Sequence, residues 1–261
     1  MRMKRFALRA GFILLVLLSG FAVWLPSQYM VPILMYHHVG DNPRSKSQAS
    51  MVSPENFARQ MKYLHDHRYH VMSLDELVTA IAQKRDLPRN SVVITFDDGY
   101  ENNYTRAFPV LRQYGFPATI FLISDLVGEE GYLTWEQIRE MQAAGLSFGS
   151  HTRRHPFLPV LDDASARDEI INSRKILEEK LGQPVLYLAY PSGGYNEKIE
   201  QITREAGYKG AVTTNRGFAR LNRDVYALKR VRFVNKSSRW PTIWLQLSGY
   251  YNVFRQPRDP D

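Results

Sequence analysis

Apolar, β-branched runs alternate with amphipathic helical stretches along most of this chain. Residues 31–39 read as a strand, and Ser53-Pro54, an N-cap followed by a first-turn proline, opens a helix that runs to about Tyr69. Ser73 caps the next helix, and residues 91–96 form a second buried strand. A helix over 102–114 leads to a strand at 118–123. Three further pairs follow: helix 134–144 with strand 146–149, helix 164–181 with strand 185–190, and helix 196–206 with strand 210–213. A last strand is expected at 227–231. Six or seven strands separated by helices predict an α/β fold, a parallel sheet with right-handed crossovers, closed or nearly closed as a barrel. There is no internal repeat and no linker.

The N-terminus breaks this pattern. Arg2, Lys4, Arg5 and Arg9 precede an apolar run over 10–25, the charge-then-apolar order of an export signal. Residues 1–27 are therefore expected to be a membrane anchor or a signal peptide, and 28–261 a catalytic domain. Ser19-Gly20-Phe21-Ala22 is the nearest approach to a cleavage site. The basic flank places the N-terminus in the cytoplasm and the rest outside, either anchored in the inner membrane facing the periplasm or secreted to the cell surface. Removing those four cations also halves the formal charge of +8. The remaining Lys and Arg are scattered, so nucleic acid is not an expected partner. The chain has no cysteine, so any metal must be held by nitrogen and oxygen ligands.

Candidate chemistry lies at strand ends, where barrels of this kind carry their sites. Thr95-Phe96-Asp97-Asp98-Gly99 closes one strand, His151-Thr152-Arg153-Arg154-His155-Pro156 follows another, and Pro191-Ser192-Gly193-Gly194-Tyr195 follows a third. Two like charges at the end of an apolar strand repel unless a cation neutralises one of them. One carboxylate and two imidazoles are a catalytic ligand set with a position left open, so Asp98, His151 and His155 are expected to bind one divalent ion, zinc for preference. Asp97 is then free to take a proton from water.

These residues carry a resemblance. The chain resembles the polysaccharide deacetylases of the fourth carbohydrate esterase family, the nodulation-type deacetylase homology domain, whose first two motifs stand at Thr95 to Gly99 and His151 to Pro156. The likeness runs over roughly 32–234 and implies a distorted (β/α) barrel of about seven parallel strands. It also implies Asp97 as the base and Asp98, His151 and His155 as the metal ligands. The family's third motif begins with an arginine that steadies the base; here Leu188-Ala189-Tyr190-Pro191-Ser192 lacks it, while the Ser192 amide is still expected to face the oxyanion. Tyr190 and Tyr195 either pack in the core or line the sugar site. The family's C-terminal histidine is also absent, and His37, in Met35-Tyr36-His37-His38-Val39, is expected to be the general acid in its place. This Tyr-His element is similar to the poly-N-acetylglucosamine deacetylases of biofilms.

The implied activity is metal-dependent hydrolysis of N-acetyl groups from N-acetylhexosamine units of an acetylated, extracytoplasmic polysaccharide. An O-acetyl esterase acting on xylan-like polymers would use the same atoms. A non-catalytic glycan-binding relic of the fold would have no need of Asp97.

Overall fold

The computed structural model describes residues 19–20, 29–40, 50–215 and 224–252. The expected leader, apart from Ser19 and Gly20, lies outside them. Among the described residues no helix is long and apolar enough to cross a membrane.

In chain order the strands are β1 (Ile33–Tyr36), β2 (His38–Val39), β3 (Met51–Val52), β4 (His70–Met72), β5 (Ser91–Phe96), β6 (Thr119–Leu122), β7 (Ser147–Ser150), β8 (Tyr187–Ala189), β9 (Gly210–Thr213), β10 (Leu228–Lys229) and β11 (Val231–Arg232). The main sheet runs β10-β9-β8-β7-β6-β5-β1-β11, with β4 added beside β5, and every pairing in it is parallel. β10 and β11 are separated by Arg230 alone, yet β10 pairs with β9 and β11 with β1. One interrupted strand thus meets both edges of the sheet and nearly closes it into a barrel. Leaving out β4 and taking β10 and β11 together, seven strands go round.

Alternation along the strands sorts side chains into two layers. Leu34, Tyr36, Ile94, Phe96, Ile120, Leu122, Leu188, Tyr190, Ala211 and Val231 join the larger core cluster with the surrounding helices. Their neighbours Ile33, Val93, Phe121, Tyr187, Ala189, Val212 and Leu228 form the smaller one, the inside of the barrel, together with Leu74, Leu77 and Val78. Burying each large apolar side chain in either layer is worth about 1.5–3 kcal/mol.

The expected helix starts hold. Ser53, Ser73, Thr134 and Asn196 each accept a backbone N–H of the first turn, opening α1 (Pro54–Asp66), α2 (Leu74–Ala82), α4 (Trp135–Ala143) and α7 (Glu197–Glu205). Two expected helices differ from the reading. The helix before β6 begins with a π-turn, Asn103–Ala107, ahead of α3 (Phe108–Tyr114). The long helix before β8 is interrupted by another, Asp168–Asn172, between α5 (Asp163–Arg167) and α6 (Ser173–Leu181). A last helix, α8 (Thr242–Leu247), follows β11. The strand expected over 31–39 is likewise broken at His37, because its second half pairs with β3 and not with the main sheet.

Candidate active site and metal centre

Asp97 continues the inward phase of Val93 and Thr95, and the last strand delivers its partner. Arg230, in the inward phase of Leu228, donates from Nη1 to Asp97 Oδ1 and from Nη2 to Asp97 Oδ2, both at 2.6 Å. Arg230 Nη1 also donates to Thr95 Oγ1 at 3.2 Å. Both charges are 2% exposed, a buried, bidentate pair. Burial alone would raise the Asp97 pKa; the Arg230 guanidinium, with His151 behind it, overcomes this and holds the carboxyl below its ordinary value. Arg230 thus does what the missing third-motif arginine was expected to do, from a strand 133 residues away. In the sequence Arg230 stands between Lys229 and Arg232, and only its inward phase with Leu228 sets it apart from those two cations.

Asp98 leaves the ladder. Its φ of 72° and the 73° of Gly99 are left-handed, and the turn swings the carboxylate out of strand phase. A side chain at Gly99 would be strained by the positive φ, and its Cβ, 2.7 Å from Leu122 Cδ2, would push that leucine aside. His151 donates from Nδ1 to the Ala189 carbonyl at 2.7 Å, which fixes its tautomer and leaves the Nε2 lone pair free. That Nε2 lies 3.4 Å from Asp98 Oδ1, and His155 Nε2 lies 3.7 Å from the same oxygen. The donor atoms of Asp98, His151 and His155 all fall within 4.8 Å of one another. One carboxylate and two imidazoles gathered round a point, with His155 partly open to solvent, fit a divalent ion with room for a further ligand. Asp98 is held well below the usual carboxylate range, against its burial, by His151. The pKa of His151 is raised, since burial is outweighed by Asp98, Asp97 and the Ala189 carbonyl together, whereas that of His155 is lowered by burial and by His151.

The loop between the two histidines is shaped by a residue the sequence reading did not single out. Glu169, 2% exposed, accepts the backbone N–H groups of Arg153 and Arg154 on Oε2, each at 2.9 Å, and the Arg154 Nε on Oε1 at 2.7 Å. It projects from the π-turn 168–172. Thr152 and His155, with φ of 66° and 63°, are held in the left-handed conformation within this loop. Asn103, on the other π-turn, donates to the His37 carbonyl at 2.8 Å. Both π-turns therefore brace a histidine-bearing segment.

His37 and His38 part company as strand geometry requires. His37 Nε2 lies 4.0 Å from Asp97 Oδ2, while His38 accepts Asn102 Nδ2 on Nδ1 at 3.1 Å and stacks on Tyr100 at 3.5 Å. The His37 pKa is lowered, because burial outweighs the attraction of Asp97 and Asp98. Ser192 sits exposed at the end of β8 with φ 54°, and its carbonyl accepts the Thr214 hydroxyl at 2.9 Å. Of the two tyrosines, Tyr190 belongs to the core. It is 0% exposed, its hydroxyl donates to the Tyr226 carbonyl at 3.0 Å, and its ring stacks on Tyr195 at 5.0 Å. Its outward phase on β8 points it into the helical layer, away from any sugar, and Tyr195 alone of the pair keeps exposed surface.

The polysaccharide deacetylase family model matches residues 84–211. YxkH of Bacillus subtilis strain 168, provisionally named a polysaccharide deacetylase, is 38% identical over 202 residues, covering 77% of this chain and 71% of that one. A poly-β-1,6-N-acetyl-D-glucosamine N-deacetylase of Staphylococcus aureus is 28% identical over 194 residues, 69% of this chain and 67% of that protein. Among solved structures, the Streptococcus pyogenes deacetylase PplD in complex with acetate superposes with a TM-score of 0.75 at 32% identity, over 83% of this chain and 97% of that one. With a buried acid clamped by arginine beside an Asp-His-His cluster at the rim of a parallel barrel, and with these relatives, the chain belongs to the polysaccharide deacetylase family.

Proposed function

We propose that this protein removes N-acetyl groups from N-acetylhexosamine units of an extracytoplasmic polysaccharide of the poly-N-acetylglucosamine type. The observation that carries this reading is the Asp97–Arg230 clamp set beside Asp98, His151 and His155. A glycan-binding relic of the fold has no use for an oriented, ionised base. Acetate release from a panel of N-acetylated and O-acetylated glycans tests the proposal; activity confined to O-acetyl esters would replace it by the esterase reading.

Asp98, His151 and His155 would hold one divalent ion, zinc suiting the nitrogen and oxygen donors best. When bound, such an ion polarises the acetyl carbonyl and stabilises charge on its oxygen. The rest falls to the chain. Asp97, kept ionised and oriented by Arg230, accepts the proton of the attacking water on a lone pair that the guanidinium leaves free. The Ser192 N–H donates to the oxyanion of the tetrahedral intermediate. His37 then gives a proton to the departing nitrogen, and acetate and a free amine result. With its depressed pKa, His37 rests as the neutral imidazole, ready to receive a proton. Asp97 lies 4.0 Å away, and a clamped carboxylate holds a proton more weakly than an imidazole does, so the proton taken from water can pass to His37 before it reaches the amine.

His37→Ala is accordingly expected to lose kcat by about 10²–10⁴ and to keep its metal, whereas His38→Ala stays within several-fold of the parent. Equal, mild losses in both variants would remove the pair from the mechanism. Glu169→Gln can satisfy either the two backbone amides or the Arg154 side chain, but not both. Metal affinity, read by competition with a chelator, should fall about tenfold. An unchanged affinity would mean that the His151–His155 loop does not need Glu169. The leader is proposed to anchor the protein in the membrane with the barrel outside. The full chain should then sediment with membranes, and a mature N-terminus found near Ala22 or Ser27 would instead establish a cleaved signal.

A further inference from the structure

A recess of about 330 Å³ opens between the first turns of α1 and the turn that follows β11, lined by Asn56, Arg59, Asn235, Lys236, Ser238 and Arg239. Three of these side chains are cations and none is an acid. Arg59, Lys236 and Arg239 make no ion pair within 4.0 Å among the described residues, and exposed Glu55 feels Arg59 only at a distance. The walls are tied together by their own polar groups. Asn235 Oδ1 accepts Asn56 Nδ2 and the Ser53 N–H, both at 2.8 Å, and Gln60 Nε2 donates to Ser238 Oγ and to the Val234 carbonyl, both at 3.0 Å. The cationic groups are what remains to meet a ligand.

The recess lies at the catalytic rim. Phe233 N–H donates to the Met35 carbonyl at 3.0 Å, two residues before His37, and His37 feels the charge of Arg232 on the same seam. Beyond Arg239 stand Trp240 and Trp244, 68% and 52% exposed, with ring centroids 6.0 Å apart.

We propose that this recess is an exosite for an anionic substituent, a carboxylate or a phosphate ester, carried by the acetylated polysaccharide some units away from the sugar being deacetylated. The inference rests on the deacetylase reading and narrows its substrate class. A neutral acetylated strand offers these three cations hydrogen-bond acceptors but no opposite charge, and a deacetylated strand, bearing ammonium groups, is repelled by them. An acid-bearing strand is attracted, and arginine forks fit carboxylate and phosphate alike. The two exposed indoles beside Arg239 offer apolar faces to sugar rings adjoining the recess. A lipid surface could also take cations and tryptophans, but head groups in a flat sheet do not fill a concave recess whose walls are braced.

The test compares acetate release from a neutral N-acetylglucosamine oligomer with release from the same oligomer carrying a phosphate monoester on a terminal unit. At low salt the parent should show a KM about tenfold lower for the phosphorylated oligomer, and the advantage should shrink as salt screens the charges. The Arg59→Gln, Lys236→Gln, Arg239→Gln triple variant should lose the preference and keep its kcat on the neutral oligomer. Equal KM values in the parent, or a preference that survives the triple substitution, would overturn the exosite. Calorimetric titration of the phosphorylated oligomer separates this failure from failure of the deacetylase reading. If neither oligomer releases acetate, that reading falls, while saturable binding lost in the triple variant still supports the recess and absent binding rejects it. Vesicles of phosphatidylglycerol bound by the parent but not by the triple variant, with oligomer binding unchanged, would assign the cations to lipid and overturn the proposal.

Discussion

Arg230→Ala is expected to be both destabilised and inactive. The guanidinium and the Asp97 carboxylate are each 2% exposed and joined by two 2.6 Å hydrogen bonds, so removing the cation strands a buried anion. Breaking a buried pair in this way typically costs about 3–5 kcal/mol. Denaturant unfolding should register the loss at neutral pH. Since Asp97 is held below its ordinary value, the pair's contribution is complete above the unfolded carboxylate pKa of about 4 and disappears as pH falls through the depressed folded value. The gap between variant and parent should therefore narrow in acid. A double variant, Asp97→Asn with Arg230→Met, leaves no unpaired charge and should recover much of the stability while staying inactive. Arg230→Lys should fall between, because an ammonium cannot fork to both oxygens. If Arg230→Ala unfolds like the parent and still turns over, the clamp is not what holds the base.

His151→Ala should lose its metal and its turnover together, whereas Asp97→Asn should lose turnover alone. His151 supplies a donor locked in place by its bond to the Ala189 carbonyl, and without it only Asp98 and His155 remain, too few for a catalytic site. Asp97→Asn keeps its shape but cannot accept a proton, a loss of about 10²–10⁴ in rate. Metal content after dialysis, measured beside acetate release, separates the two. Metal lost from Asp97→Asn and retained by Asp98→Asn would mean that the two carboxylates have exchanged roles. A metal-loaded, active His151→Ala protein would remove the histidine from the ligand set.

Much of this was written locally. Ser53, Ser73, Thr134 and Asn196 announce their helices because a cap is a bond to an amide two or three residues away. The alternation of strands and helices determines a parallel sheet, and the sheet places Asp97, His151 and Ser192 at one rim. Strand parity even separates His37 from His38. What parity cannot supply is the partner across the barrel. Arg230 reaches Asp97 only because β10 and β11 lean on opposite edges of the sheet and bring the break between them over its centre. Tyr190 is at a strand end like the site residues, and only the packing of the helical layer decides that it is core. The π-turns that aim Asn103 and Glu169 lie within stretches that read as helix in the sequence, since the switch to i→i+5 bonding is a matter of backbone hydrogen bonds that no residue type marks. The His37 pKa is a matter of burial, which belongs to the folded whole. Periodicity reports which face a residue shows; closure of the barrel decided what that face would meet.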